Sequence, residues 1–432
     1  MATFHDQLAA VVGERNVTQD PCKIAALFAR PPESAGLFLV KPATVEHVQA
    51  LARLCGAAGV PARTTSDTLF PRSAGQGERA VLLDFSRMNA IERLDNRNLM
   101  AHVGRGVTFE QLSAALSPMG MKLNMPAAAT SPSVAEQFTA RAVSLRACRY
   151  HEVAASNLQV VLADGRVHLT GSHALSEFTA DHKGDGGANL SQWYLGADDC
   201  MGIVTRASVW CFPIWERSVN LAYGFPDQAS AAGFIREISR RELVTMGLVM
   251  NAAAFREKIK ADPSPAPFVA VAGVEGIASV ARVREKALAE TARTHGGADL
   301  SALLSADPRV FERPWYATGR PRLGFYSRFP RVPDFDAVLS EQGFDPDAVS
   351  RFLVSVALGG CVWVEWGFSE CDADRMEDLS LSLAAAGAFF DRPHGRLAAA
   401  VYGSMDPACT AHLSRVKRML DPAGTLNPAQ GV

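Results

Sequence analysis

Ten histidines, eight cysteines and several glycine-rich turns are the places where this 432-residue chain could do chemistry. His151-Glu152 opens like a zinc-protease helix, but Val153, Ala154 and Ala155 follow and the second histidine of H-E-x-x-H is missing. His168 and His173 lie five apart, off the i, i+4 face that a metal pair prefers. His168 therefore reads as an outward position on a hairpin. No two of Cys22, Cys55, Cys148, Cys200, Cys211, Cys361, Cys371 and Cys409 sit at C-x-x-C spacing. That argues against zinc ribbons, thioredoxin motifs and ferredoxin-type clusters, and no metal site is expected. There is no P-loop and no G-x-S-x-G. Gly75-Gln76-Gly77-Glu78-Arg79-Ala80 fits G-x-G-x-x-A, but a strand follows where a dinucleotide fingerprint needs a helix.

The elements that would position any site come next. At roughly 100–200 residues per domain, the length suggests two to three domains. With 43 basic and 45 acidic side chains the net charge is −2, which argues against a nucleic-acid surface. Scattered cysteines and a polar stretch from Met1 to Asp20 point to a reduced, cytoplasmic protein. The apolar run Phe352 to Val364, at 13 residues, is shorter than the roughly 18–20 a membrane helix needs.

Leu37 to Val40 reads as a strand. Thr44 caps a helix carrying Val45, Val48, Leu51, Ala52 and Cys55 at helical spacing, closed by Gly56 and Gly59. Ala80 to Phe85 and Leu99 to Val103 read as strands, and Thr108 with Gln111 as a capping box. Asn157 to Thr170 reads as a hairpin with Asp164-Gly165 as a type I′ turn. From Arg217 on, strands and helices alternate in the manner of an α+β domain. Near the C-terminus, Leu413 to Pro428 reads as a helix, a glycine stop and an Asn-Pro exit. Apolar Leu426 between two turns suggests a tail that is tied down.

That tail resembles the closing segment of the FAD-linked oxidases of the p-cresol methylhydroxylase and vanillyl-alcohol oxidase superfamily, in the glycolate oxidase and D-lactate dehydrogenase branch. Lys41-Pro42-Ala43-Thr44, Val81 to Asn89, Val103 to Thr108, Val160 to Gly171, Gly196 to Thr205 and Pro393-His394-Gly395 resemble further family segments in the family's order. The resemblance implies an α+β fold. Residues 36–216 would form a two-subdomain FAD-binding domain after an N-terminal segment, 1–35. Residues 217–410 would form a cap, or substrate, domain with an antiparallel sheet. Residues 411–432 would bring a helix and tail back onto the FAD domain. It implies non-covalent FAD held by Arg63, Thr64, Thr65, Ser66, Asp67, Thr68, Ser133, Val134, Ala135, Gly196, Gly202, Ile203 and Asn427. His394 would be the base, with Arg322 and Tyr402 on the substrate side.

The departures from the family matter as much. Its glycine-rich diphosphate loop is Arg63-Thr64-Thr65-Ser66-Asp67-Thr68 here, and a second Gly-Gly turn aligns with Ala135-Glu136. Asp67 or Glu136 pointing inward would repel a diphosphate by roughly 4 kcal/mol at about 4 Å and an effective dielectric near 20. The branch's metal-binding pattern has become Gly359-Gly360-Cys361-Val362-Trp363-Val364-Glu365, without histidine. Two functions stay open. One is an FAD-dependent oxidoreductase acting on a small hydroxy acid or alcohol, within a larger complex. The other is a flavin-poor or flavin-free subunit that scaffolds a related flavoprotein. The expected partners are a paralogous flavoprotein or an iron–sulfur subunit.

Overall fold

The computed structural model describes residues 2–25, 36–64, 79–127, 129, 131–147, 155–175, 188–260, 266–307, 310–313, 321–391, 393 and 395–428. Leu37–Val40, Ala80–Leu83 and Ala62–Thr64 form a parallel sheet, with Val17–Thr18 added antiparallel at one edge. Every residue of the first two strands is buried, as continuous apolar runs in parallel sheets require. The helix Val45–Ala58 packs on this lobe through Val48, Leu51, Ala52 and Cys55. Thr44 Oγ1 accepts the His47 N–H at 3.3 Å to start it, and Gly59, at φ 62°, ends it. A second helix, Phe4–Val12, begins in a capping box between Thr3 and Asp6. It buries only Leu8 and Val12, too sparse a stripe to announce itself in the sequence.

The second lobe is an antiparallel sheet in the order Ile91–Asp95, Met100–Gly104, Ile203–Pro213, Ala155–Val161, Val167–Leu169, with Met121–Leu123 also on Ile203–Pro213. The hairpin forms, but not with a type I′ turn. Of the pair Asp164-Gly165 only the glycine takes positive φ, at 80°, and the Gly165 N–H donates to the Leu162 carbonyl at 2.9 Å. That is a type I turn completed by a glycine bulge. Thr108 Oγ1 accepts the Gln111 N–H at 3.1 Å and starts the helix Phe109–Leu116. The Gln111 amide donates to the Asn89 carbonyl instead, so the reciprocal half of the capping box is spent on tertiary structure.

The cap sheet has seven strands, all antiparallel: Ala298–Asp299, Arg217–Phe225, Phe268–Gly276, Met246–Asn251, Ser350–Val356, Cys361–Gly367 and Arg322–Ser327. Alternation decides what each face meets. Leu323, Phe325, Val362, Val364 and Trp366 pack under the helices Gln228–Arg240, Val332–Glu341 and Ala373–Ala385. Leu248, Met250, Val269, Val271, Phe352, Val354 and Trp363 share one core with Val103, Phe109, Val134 and Val209 of the second lobe. The Pro407–Leu420 helix then delivers the tail to the first lobe. Leu426 is fully buried and bridges Ala62 in parallel, with Ala62 N–H to Thr425 O at 2.8 Å and Asn427 N–H to Ala62 O at 3.0 Å. This is the expected α+β architecture, tail included.

Candidate functional site

Four segments converge where the two lobes meet: the turn Gly104–Val107, residues 131–139, residues 196–204, and the pair Thr64 and Asn427. The Val134 N–H donates to Val107 O at 2.9 Å, Arg105 N–H to Thr205 O at 3.0 Å, and Gly196 N–H to Thr139 O at 2.7 Å. Thr64 N–H reaches Asn427 Oδ1 at 3.2 Å, and the Asn427 amide donates to Thr64 Oγ1 and the Asp198 carbonyl. Gly106 is forced by crowding. A Cβ there would lie 2.1 Å from the Phe85 carbonyl oxygen.

Arg105 sits at the centre of this convergence. Its guanidinium is 2% exposed and grips Asp199 with two hydrogen bonds, 2.7 and 2.6 Å. It also donates to Glu136 Oε1 at 3.2 Å and to the Val204 carbonyl at 2.9 Å. The carbon of the guanidinium lies 4.4 Å from the Phe85 ring centroid, a cation–π contact. Nε is the one donor of this group that is buried without a partner among the described residues. Burial opposes the charge, but Asp199 and then Glu136 outweigh it and hold the guanidinium above its already high range. Ser131 Oγ donates to the other Glu136 oxygen, and Asp199 Oδ1 accepts the Val204 N–H at 2.9 Å.

The expected cofactor set is only partly brought together. Thr65, Ser66, Asp67, Thr68 and the base candidate His394 lie outside the described residues. Ser133 caps the helix Val134–Thr139 by accepting the Glu136 N–H at 3.1 Å, and its hydroxyl donates to the Arg105 carbonyl. Val134 and Ala135 are fully buried in the core. Gly196 and Gly202 take positive φ, and Ile203 pairs with Val161 in the sheet. Arg63 and Thr64 are buried on their strand.

A second charged group lies on the cap face that looks toward the second lobe. Arg322 is buried, donating to Glu365 at 2.7 Å and to Glu257 at 2.9 Å. The Trp363 indole N–H reaches the other Glu365 oxygen at 3.4 Å. Beside them, burial first and then the Arg322 and Arg313 charges push Lys258 down to about 7. Tyr402 is not part of this group by its element. Its helix, Gly395–Ser404, packs through Leu397 on the opposite, helical side of the sheet. Gly359-Gly360, aligned earlier with a metal-binding pattern, belongs to the turn joining Ser350–Val356 to Cys361–Gly367. No group of three potential metal ligands occurs among the described residues.

Comparison with known proteins agrees with this architecture. Residues 37–171 match the family model of the FAD binding domain. The fold superposes on p-cresol methylhydroxylase with bound substrate at a TM-score of 0.83, covering 99% of this chain and 96% of that one at 18% identity. The chain thus carries an FAD binding domain match over residues 37–171 and has the fold of p-cresol methylhydroxylase. Among its relatives, D-lactate dehydrogenase of Archaeoglobus fulgidus is 26% identical over 223 residues, 49% of this chain and 47% of the relative. The glycolate oxidase subunit GlcD of Bacillus subtilis is 23% identical over 217 residues, 48% of this chain and 43% of the relative. The 4-cresol dehydrogenase flavoprotein subunit of Pseudomonas putida is 28% identical over 186 residues, 40% of this chain and 34% of the relative. The chain thus spans about half or less of the curated relatives it matches. By family it is related to FAD-linked oxidoreductases.

The FAD binding domain match suggests FAD, and the described walls can be tested for it. A diphosphate needs several N–H donors aimed into open space. In this chain the N–H groups of Val134, Glu136, Gly196, Gly202 and Asn427 already donate to oxygens of the chain itself. Glu136 stands where the second Gly-Gly turn was expected, and it does not point a lone charge at a cofactor. It is paired with Arg105 and Ser131. Two carboxylates against one guanidinium leave a formal excess of negative charge, which opposes a further anion. These residues do not fit a diphosphate bound through bare backbone turns. The sequence reading overlooked Arg105. A charged residue between two glycines directly after a buried strand was the available signal.

Proposed function

We propose that this chain is a non-catalytic subunit that keeps the oxidase architecture without holding flavin as its relatives do, and that it scaffolds a related, active flavoprotein. The buried Arg105–Glu136–Asp199 group carries this reading. Two relatives, the 4-cresol dehydrogenase flavoprotein subunit and the glycolate oxidase subunit GlcD, are themselves subunits, which supports a partnered role. An iron–sulfur protein is the other partner class. We assign residues 36–216 to the flavin-type domain, 217–410 to the cap and 411–432 to the returning tail. Among the described cysteines, Cys22, Cys55, Cys211, Cys361 and Cys409 are free thiols, which suits a reducing compartment such as the cytoplasm. No helix among the described residues is long and apolar enough to cross a membrane. The test is the absorbance of the purified protein between roughly 350 and 500 nm, where a bound flavin absorbs. No yellow chromophore, no uptake of added FAD and recovery of a flavoprotein partner on co-purification are expected. A bound flavin that a 2-hydroxy acid bleaches overturns the proposal.

A second reading, oxidation of a small hydroxy acid or alcohol, is favoured by the FAD-binding family match and by the buried charges under the cap sheet. In it Arg322 would hold a substrate carboxylate, His394 would take the hydroxyl proton and Tyr402 would line the substrate side. The same spectrum separates the two.

A further inference from the structure

Asp199 has a backbone that does not suit its side chain. It sits at φ 59°, next to Asp198 at 47°, in the left-handed region where glycine is at ease and aspartate is merely tolerated. Glycine there would relax the backbone, yet the chain carries a carboxylate that is 6% exposed and fully engaged by Arg105 and the Val204 N–H. Glu136 comes from a different segment and Arg105 from a third. One guanidinium therefore ties together the turn after Met100–Gly104, the helix Val134–Thr139 and the loop before Ile203–Pro213.

We infer that Arg105, Glu136 and Asp199 form a built-in substitute for a bound diphosphate: a buried charged knot that closes the lobe interface from within. This rests on the flavin-independent reading above and deepens it. A dinucleotide diphosphate bound there would bridge the same three segments from outside, by accepting their N–H groups. Here those groups donate internally and side chains of opposite charge do the bridging. Such a knot has an energetic signature. Removing one member strands the buried charge of the others, whereas removing all three leaves no buried charge stranded.

The test is a mutant cycle read by urea unfolding. Arg105→Ala should lower the folding equilibrium constant by about a hundredfold or more, since two buried carboxylates lose their partner. Arg105→Lys keeps the charge, loses the two-pronged grip and should fall between wild type and Arg105→Ala, so the series stays informative if the alanine variant does not fold. Combining R105A, E136A and D199G should lose far less than the sum of the single losses. The triple variant should also gain a melting-temperature rise with millimolar inorganic pyrophosphate, and wild type should show none. Additive losses overturn the inference, as does a folded triple variant that ignores pyrophosphate. Both readouts are independent of flavin. A yellow wild-type protein that a 2-hydroxy acid bleaches overturns the scaffold proposal, while additive mutants overturn the knot alone.

Discussion

Lys122 and Glu275 meet across the two halves of the molecule, with Nζ 2.6 Å from Oε1. Lys122 lies on a strand of the second lobe and Glu275 on a strand of the cap sheet. Arg146 donates to the other Glu275 oxygen, and its guanidinium carbon stacks 4.5 Å from the Phe212 ring centroid. Burial alone would raise the Glu275 carboxyl, but Arg146 and then Lys122 outweigh it and hold the group below the usual carboxylate range. A carboxyl whose pKa is depressed on folding adds stability above its unfolded value, near 4.3, and loses it as pH falls through the folded value. Glu275→Gln should therefore cost about 3 kcal/mol at neutral pH, with the difference from wild type shrinking below about pH 4. Paired urea titrations at several pH values check this, and a pH-independent difference would refute the ion-pair account.

Lys258 carries the opposite linkage. With its ammonium pushed down to about 7, the folded chain binds fewer protons there than the unfolded chain between pH 7 and roughly 10.4. Stability should rise with pH through that window, and the cost of holding the charge is fully present below it. Lys258→Met should stabilise the protein most below pH 7 and hardly at all above about pH 10.5. Melting temperatures across that range decide the matter. A constant offset would mean Lys258 is not the titrating group.

Arg322→Ala separates the two functional readings by a physical criterion. As a structural pair with Glu365 and Glu257, Arg322 should cost about 3–5 kcal/mol when removed, because two carboxylates are left in a buried setting. As a substrate ligand it should instead cost affinity for a small carboxylate and leave the unfolding midpoint near wild type. Denaturation midpoints alongside equilibrium binding of lactate or glycolate report both quantities.

Asn427 should matter beyond its size. Its side chain hydrogen bonds to Thr64 and Asp198, and it sits at φ 39°, where alanine is strained. Asn427→Ala should lower stability by roughly 2 kcal/mol through the loss of these half-buried hydrogen bonds and the strained backbone. An unchanged midpoint at constant slope in urea would show that the tail does not secure the lobe.

Local signals carried most of the architecture. Thr44, Thr108 and Gly59 mark helix ends because capping chemistry is short-range. The strands Leu37–Val40 and Ala80–Leu83 stand out as short apolar runs between breakers. What escaped was tertiary in origin. Met246–Asn251 is buried at every position and lies inside the cap sheet, so it shows no alternation to mark it as a strand. Asp164 was expected at positive φ, yet the following glycine alone supplies the turn. At the candidate site, Glu136 was visible as a charge out of place. Its partner Arg105 lies 31 positions away, and Asp199 lies 94 from Arg105. Nothing local links the three, because side-chain pairing at that range is set by the tertiary fold.

The bridge between Ala62 and Leu426 sets an order of events during synthesis. Thr64 leaves the ribosome long before Asn427, its partner 363 positions downstream. Until translation reaches the tail, the first lobe must wait with that flank of its sheet bare, a window in which a chaperone or a neighbouring nascent chain has access to an edge that the finished molecule hides.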